Sequence, residues 1–332
     1  MLEKLKIITL LCFLLAAFAC DGDEEDIIGN WIELSDFEGI PRNNAVSFTI
    51  NGFAYVGTGY SEEEDEYLRD FWRYDPVNNF WTQQADFPGV GRSGAVAFSA
   101  REKGYVGTGY DGDIRLSDFW AYDPDDNSWV AVASFPGSAR RNAIAFGVYD
   151  KGFVGTGDDS NTLKDFWEYE PLTDSWRQVV SIPGSKRVGA FVMVIQNRVF
   201  VGGGLNNGQY QEDFYEFEPT NGELGTWIRK RDLDAEDDYN QDIQRAYGIG
   251  LGIGNKGYVM AGNRGAALSS TWEYDPVSDI WEQKTSFEGL ARTEAVGFVM
   301  DEVGYIALGR NGLQRFDDLW AFYPNSELNE DD

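Results

Sequence analysis

Tyr55-Val56-Gly57-Thr58-Gly59 recurs as Tyr105-Val106-Gly107-Thr108-Gly109 and again as Phe153-Val154-Gly155-Thr156-Gly157. Looser copies are Phe200-Val201-Gly202-Gly203-Gly204, Tyr258-Val259-Met260-Ala261-Gly262 and Tyr305-Ile306-Ala307-Leu308-Gly309. An arginine stands upstream of each copy: Arg42, Arg92, Arg140, Arg187, Arg245 and Arg292, at intervals of 50, 48, 47, 58 and 47 residues. An aromatic residue follows each: Trp72, Trp120, Trp167, Tyr215, Trp272 and Trp320. Six copies at so regular an interval imply an array of one supersecondary unit.

Within a unit the sequence reads as four short strands. Strand a is the small, apolar run Ala45 to Phe48, and strand b is the Tyr-Val-Gly segment. Strand c is Asp70-Phe71-Trp72-Arg73-Tyr74, ended by the turn Asp75-Pro76-Val77-Asn78-Asn79. Strand d begins at Trp81 and runs to Phe87-Pro88-Gly89. The glycines of strand b suit a place where neighbouring groups approach closely. Four strands repeated six times predict an all-β fold, a six-bladed β-propeller. All 11 tryptophans fall in two columns, on strands c and d, as packing between blades requires.

The pattern resembles the kelch repeat. That family's unit has an arginine near its start, a Tyr-Val-x-Gly-Gly strand, a Trp-x-Tyr-Asp-Pro strand and turn, and then a tryptophan. The resemblance spans residues 31–324; it departs in placing Gly-Thr-Gly where the family has paired glycines. Strand d has no copy after Trp320, but Trp31 to Phe37 repeats the spacing of Trp81 to Phe87. The N-terminal strand is therefore expected to complete the last blade, closing the ring and removing two exposed edges.

The first 19 residues read as a signal peptide. Lys4 and Lys6 precede the apolar run Ile7 to Ala19, which is too short to span a bilayer as a helix. The run ends at Ala17-Phe18-Ala19-Cys20, which resembles a bacterial lipoprotein signal, although Leu is usual where Ala17 stands. Cys12 leaves with the signal, so Cys20 has no disulfide partner and is the expected lipidation site. Residues 20–30 form an acidic linker and 325–332 an acidic tail. Acidic residues directly behind the cysteine also resemble the surface-export signal of Bacteroidetes-type lipoproteins; a solvated spacer is the alternative. The expected location is the outer membrane, facing either the periplasm or the surface.

The chain carries 56 Asp and Glu against 27 Lys and Arg, a net charge of −29, which argues against nucleic-acid binding. It has no histidine, so histidine-dependent triads and His-ligated zinc or copper are excluded. The galactose oxidase relatives of the kelch family need His and a Cys–Tyr cross-link around copper, so that chemistry is excluded too. No metal and no other cofactor is expected; Asp111-Gly112-Asp113 and Asp158-Asp159 lack EF-hand spacing.

Function is expected on the face that carries the b–c and d–a loops, because those loops vary while the c–d turns are uniform. The extra residues of the 58-residue interval fall there, around 232–244. The six arginines open strand a and are expected to ring the channel mouth. The resemblance implies ligand contact by this column and by the residue after the glycine pair: Tyr60, Tyr110, Asp158, Leu205, Asn263 and Arg310. Alternatively, each arginine bonds carbonyls or carboxylates of a neighbouring blade, with Asp70, Asp118, Asp165, Asp213 and Asp318 as partners. A cationic mouth would favour a carboxylate or similar anion.

No catalytic residue stands out. The expectation is a monomeric, lipid-tethered binding module for a glycan or protein at the cell envelope. The rival, implied by a kelch relative, the bacterial sialic acid mutarotase, is a metal-free mutarotase or epimerase acting on an acidic sugar.

Overall fold

The computed structural model describes residues 28–235 and 241–329; the signal segment, Cys20, most of the acidic linker and the end of the tail lie outside them. Blade 1 comprises strand a Val46–Ile50, strand b Phe53–Gly57, strand c Phe71–Asp75 and strand d Phe80–Gln84, in that spatial order and antiparallel throughout. Blades 2 to 5 repeat the order over residues 96–132, 144–179, 191–229 and 249–284. Blade 6 takes strands a, b and c from Val296–Met300, Val303–Ala307 and Leu319–Glu327, and strand d from Ile28–Glu33. Each strand a touches that of the blades on either side, and blade 6 meets blade 1. The fold is a closed six-bladed β-propeller.

Closure follows the expected register, with Trp31 opposite Phe322. The paired region is longer than the expected 31–324: a bulge between Ile28 and Asn30 lets Ile28 pair with Glu327. Residues 28–30 therefore belong to the sheet and not to the linker, and 325–327 are strand, not tail.

Strand a alternates between two environments. Val46, Phe48 and Ile50 are buried between blades, while Ser47 and Thr49 face the channel side and are half-buried. Small residues at the channel-side positions, among them Ala97, Ala145, Gly250 and Gly297, leave a narrow uncharged channel of about 230 Å³. Between blades, the strand-d tryptophan meets the strand-c phenylalanine of the preceding blade edge-on: Trp129 on Phe71, Trp176 on Phe119 and Trp227 on Phe166, at 5.0–5.1 Å. These aromatic pairs, with the phenylalanine fully buried and the tryptophan partly so, make each blade depend on its neighbour.

The first glycine of Gly-Thr-Gly has a packing cause. A Cβ on Gly57, Gly107 or Gly155 would stand 2.0, 2.1 or 2.5 Å from the ring of Phe71, Phe119 or Phe166 on the paired strand c. Where blade 6 has Ala307, the opposing residue is Leu319, so the glycine and the phenylalanine change together.

Candidate functional site

All six repeat arginines are fully buried. Arg92 shows why. Its Nη1 and Nη2 donate to the two oxygens of Asp118 at 2.7 and 2.8 Å, Nη1 also to Thr108 O at 2.9 Å, and Nε to Val90 O at 3.1 Å. Its guanidinium lies 4.6 Å from the centre of the Phe87 ring. Arg42, Arg140 and Arg292 repeat the arrangement with Asp70, Asp165 and Asp318, and Arg187 holds Asp213 with one nitrogen. The arginines thus form a layer beneath the mouth, and a ligand above it does not reach them. The carboxylates stand immediately before strand c of the same blade, not in a neighbouring one.

This layer holds strained backbone. Thr58, Thr108 and Thr156, the middle residues of Gly-Thr-Gly, have φ of 59°, 58° and 62°, a left-handed conformation costly for a β-branched residue. The carbonyl of each accepts a hydrogen bond from the buried arginine. Burial would raise the carboxyl of Asp118, but hydrogen bonds and charge from Arg92 outweigh it, and the net shift is downward; Asp70 and Asp165 behave alike. Blade 5 differs. Ser270 occupies the aspartate position, and Arg245 bonds its carbonyl and hydroxyl instead. Burial lowers Arg245 to about 10, against the opposing charge of Asp242.

Above the arginines, the residues two places further on join hands around the channel. Asn44 N donates to Glu294 O, Gly94 N to Asn44 O, Asn142 N to Gly94 O, Gly189 N to Asn142 O, Tyr247 N to Gly189 O and Glu294 N to Tyr247 O, at 2.7–3.3 Å. The circle is closed. Every member has a φ between 52° and 63°. Glycine and asparagine tolerate this; Tyr247 and Glu294 do not, so their side chains are kept at a cost of roughly 1–3 kcal/mol each. A Cβ on Gly189 would meet the Tyr247 ring at 2.8 Å, so that glycine makes room for it. Burial raises the Tyr247 phenol, the charge of Glu294 adds to this, and Arg141 and a hydrogen bond from Asn142 oppose it.

The residues after the glycine pair form the wall of the mouth, each bridged to the residue following a buried arginine. Tyr60, Tyr67 and Tyr110 form an aromatic run, with ring centres 4.9 and 5.9 Å apart. The Tyr60 hydroxyl donates to Asp65 at 2.6 Å, which raises its pKa to about 12. Asp158 takes Arg115 at 2.9 Å and Arg141 at 3.4 Å. The Arg141 guanidinium lies 4.8 Å from the centre of the Tyr110 ring, and its side chain is 38% exposed. Among the described residues its two terminal nitrogens have no hydrogen-bond partner. Arg310 is fully engaged with Glu294, through bonds of 2.6 and 2.8 Å. Asn263 accepts the Tyr210 hydroxyl at 2.8 Å, and Leu205 floors a cleft beside Asp158.

The structure therefore keeps Tyr60, Tyr110, Asp158, Asn263 and Arg310 at the mouth and moves the six repeat arginines below it. It adds Arg115, Arg141, Tyr67, Tyr247 and Glu294, which column-by-column reading missed. A signal for two of them was present: the column Asn44, Gly94, Asn142, Gly189, Tyr247, Glu294 breaks its own preference at its last two members. Among the described residues, no group of three carboxylates or cysteines could hold a metal ion.

Six four-stranded blades carrying this arginine layer form a β-propeller whose repeat is similar to the kelch repeat. Residues 32–186 match the family model of the KLHDC2/KLHL20/DRC7 Kelch-repeats domain. A solved structure titled "Structure of YjhT" is similar to 86% of this chain and 95% of its own, with a TM-score of 0.73 and 16% identity. At that identity the likeness is one of fold. No curated protein matches the chain.

Proposed function

We propose that the protein is a non-enzymatic binding module for a glycan or protein, and that it holds an anionic group of its ligand at the b–c and d–a mouth. Arg141 carries this reading. It is a guanidinium with two unspent nitrogens, stacked on Tyr110 and steadied by Asp158, in a chain of net charge −29. Such a group clasps a carboxylate bidentately, and its stacking removes part of the ordering cost. The proposed setting is the outer membrane, with Cys20 as the lipid tether. Cys20→Ser is expected to leave the membrane fraction after carbonate washing; retention there would contradict the tether.

The rival reading is a metal-free mutarotase or epimerase for an acidic sugar, and its acid–base candidates are Tyr247 and Glu294. The tyrosine keeps its proton at neutral pH, and both oxygens of Glu294 are held by Arg310. That leaves an acid without a free base, which favours binding over turnover. A glycan array on the purified protein, followed by NMR of the bound sugar, separates the two. Saturable binding of a carboxylate-bearing glycan without conversion is expected. Accelerated exchange of its anomers would contradict a purely binding role.

A further inference from the structure

Beside the mouth lies a cleft of about 500 Å³ between the b–c loops of blades 3 and 4. That volume falls within the roughly 300–1,000 Å³ usual for small-molecule sites. Its wall is built of amides. The Thr162 hydroxyl donates to Asn206 Oδ1 at 2.8 Å, which leaves the Asn206 Nδ2 group without a partner among the described residues. Asn207 has no side-chain partner among them either. Asn161 makes only a 3.5 Å contact through Nδ2, to Asp159, so its Oδ1 is open. Val188 and Leu205, both half-buried, supply the apolar part of the lining.

Charge enters from one side. Lys186 lines the cleft, is exposed, and has no carboxylate partner among the described residues. Asp158 also lines it, but both its oxygens are taken: Oδ2 by Arg115 and Arg141, and Oδ1 by Ser160 N at 2.7 Å. The cleft therefore offers a free cation, open amide donors and acceptors, and no free carboxylate from Asp158. The third-blade loop is held in a strained form, with Ser160 at a φ of 96°.

We propose that this cleft is a saccharide subsite for a carboxylate-bearing sugar, with Lys186 on the carboxylate and the amides of Asn161, Asn206 and Asn207 on ring hydroxyls. A side-chain amide presents one donor and one acceptor side by side, which matches a vicinal diol. Val188 and Leu205 meet the C–H face of the ring. Asp158 belongs both to this cleft and to the Arg141 site, so an oligosaccharide extends from one to the other. The inference rests on the binding reading given above and adds the class of ligand and the place of its sugar ring.

The test uses the purified full-length protein on an array of carboxylate-bearing and neutral oligosaccharides. Calorimetry follows with the strongest acidic binder and with its carboxyl-reduced form. Lys186→Ala is expected to weaken the acidic glycan at least tenfold and to leave the reduced form unchanged. Asn206→Ala is expected to weaken both, and both variants melt as the wild type does. If Arg141→Ala weakens binding while Lys186→Ala and Asn206→Ala do not, the subsite is wrong and the binding reading stands. If no carboxylate-bearing glycan binds the wild type, the subsite is wrong and the mouth is left to a protein ligand.

Discussion

Arg140 is wholly buried and spends its guanidinium on Asp165, Thr156 O and Ser138. Arg141, the next residue, lies 38% exposed over Tyr110, with a single 3.4 Å contact to Asp158. Arg140 has a counterpart in every blade; Arg141 is matched by Asn43, Ser93, Val188, Ala246 and Thr293. The layer that repeats holds the blades, and the layer that varies faces solvent. Recurrence in this fold marks what six blades need in common, and a ligand that breaks the six-fold symmetry is met by residues that also break it.

The largest effect expected is on stability. Arg140→Ala leaves Asp165 without its cation and Thr156 O without its donor, and should cost about 3–5 kcal/mol. Urea unfolding followed by tryptophan fluorescence reads this directly. A loss under about 0.5 kcal/mol, the scale of an ordinary surface change, would erase the distinction between the two arginines.

A smaller effect appears in acid. The carboxyls of Asp70, Asp118 and Asp165 are held below their ordinary value in the folded chain. A depressed folded pKa means stability that is fully present above the unfolded value, about 3.9, and lost as pH falls through the folded one. Protonating the other carboxylates also relieves the self-repulsion of a −29 chain, so the informative quantity is a difference. Asp118→Asn should be less stable than wild type at pH 6, and the gap should shrink as pH drops below 4. A gap independent of pH would show that the Asp118 charge contributes nothing.

Much of the fold was legible because it is written six times. The Gly-Thr-Gly strands, the tryptophan columns and the displaced copy at Trp31 were enough for blade number and closure. The arginine column was equally visible, but its direction was not. A repeat shows that a residue recurs; whether it faces solvent depends on the depth of the d–a loop, which here folds the side chain back onto Asp118 and Thr108 O. The mouth residues were harder for the opposite reason. Arg141, Tyr247 and Glu294 each occur in one blade, and Tyr67 and Arg115 share a b–c loop position that carries Thr162, Tyr210, Ala267 and Arg315 in the other blades, so no single residue type marks it. The backbone circle through Asn44, Gly94, Asn142, Gly189, Tyr247 and Glu294 brings the last two together, and the contacts of Asp158 and Tyr110 bring in Arg115, Arg141 and Tyr67.

The contrast between the adjacent arginines is tested most directly on Arg141→Ala itself. Its affinity for the strongest carboxylate-bearing glycan and its unfolding midpoint are measured on the same preparation. The expected result is a midpoint within about 0.5 kcal/mol of wild type, since the side chain is half-exposed and weakly paired, together with at least a tenfold loss of affinity. Unchanged affinity in a folded variant would contradict the assignment of the mouth as the binding surface.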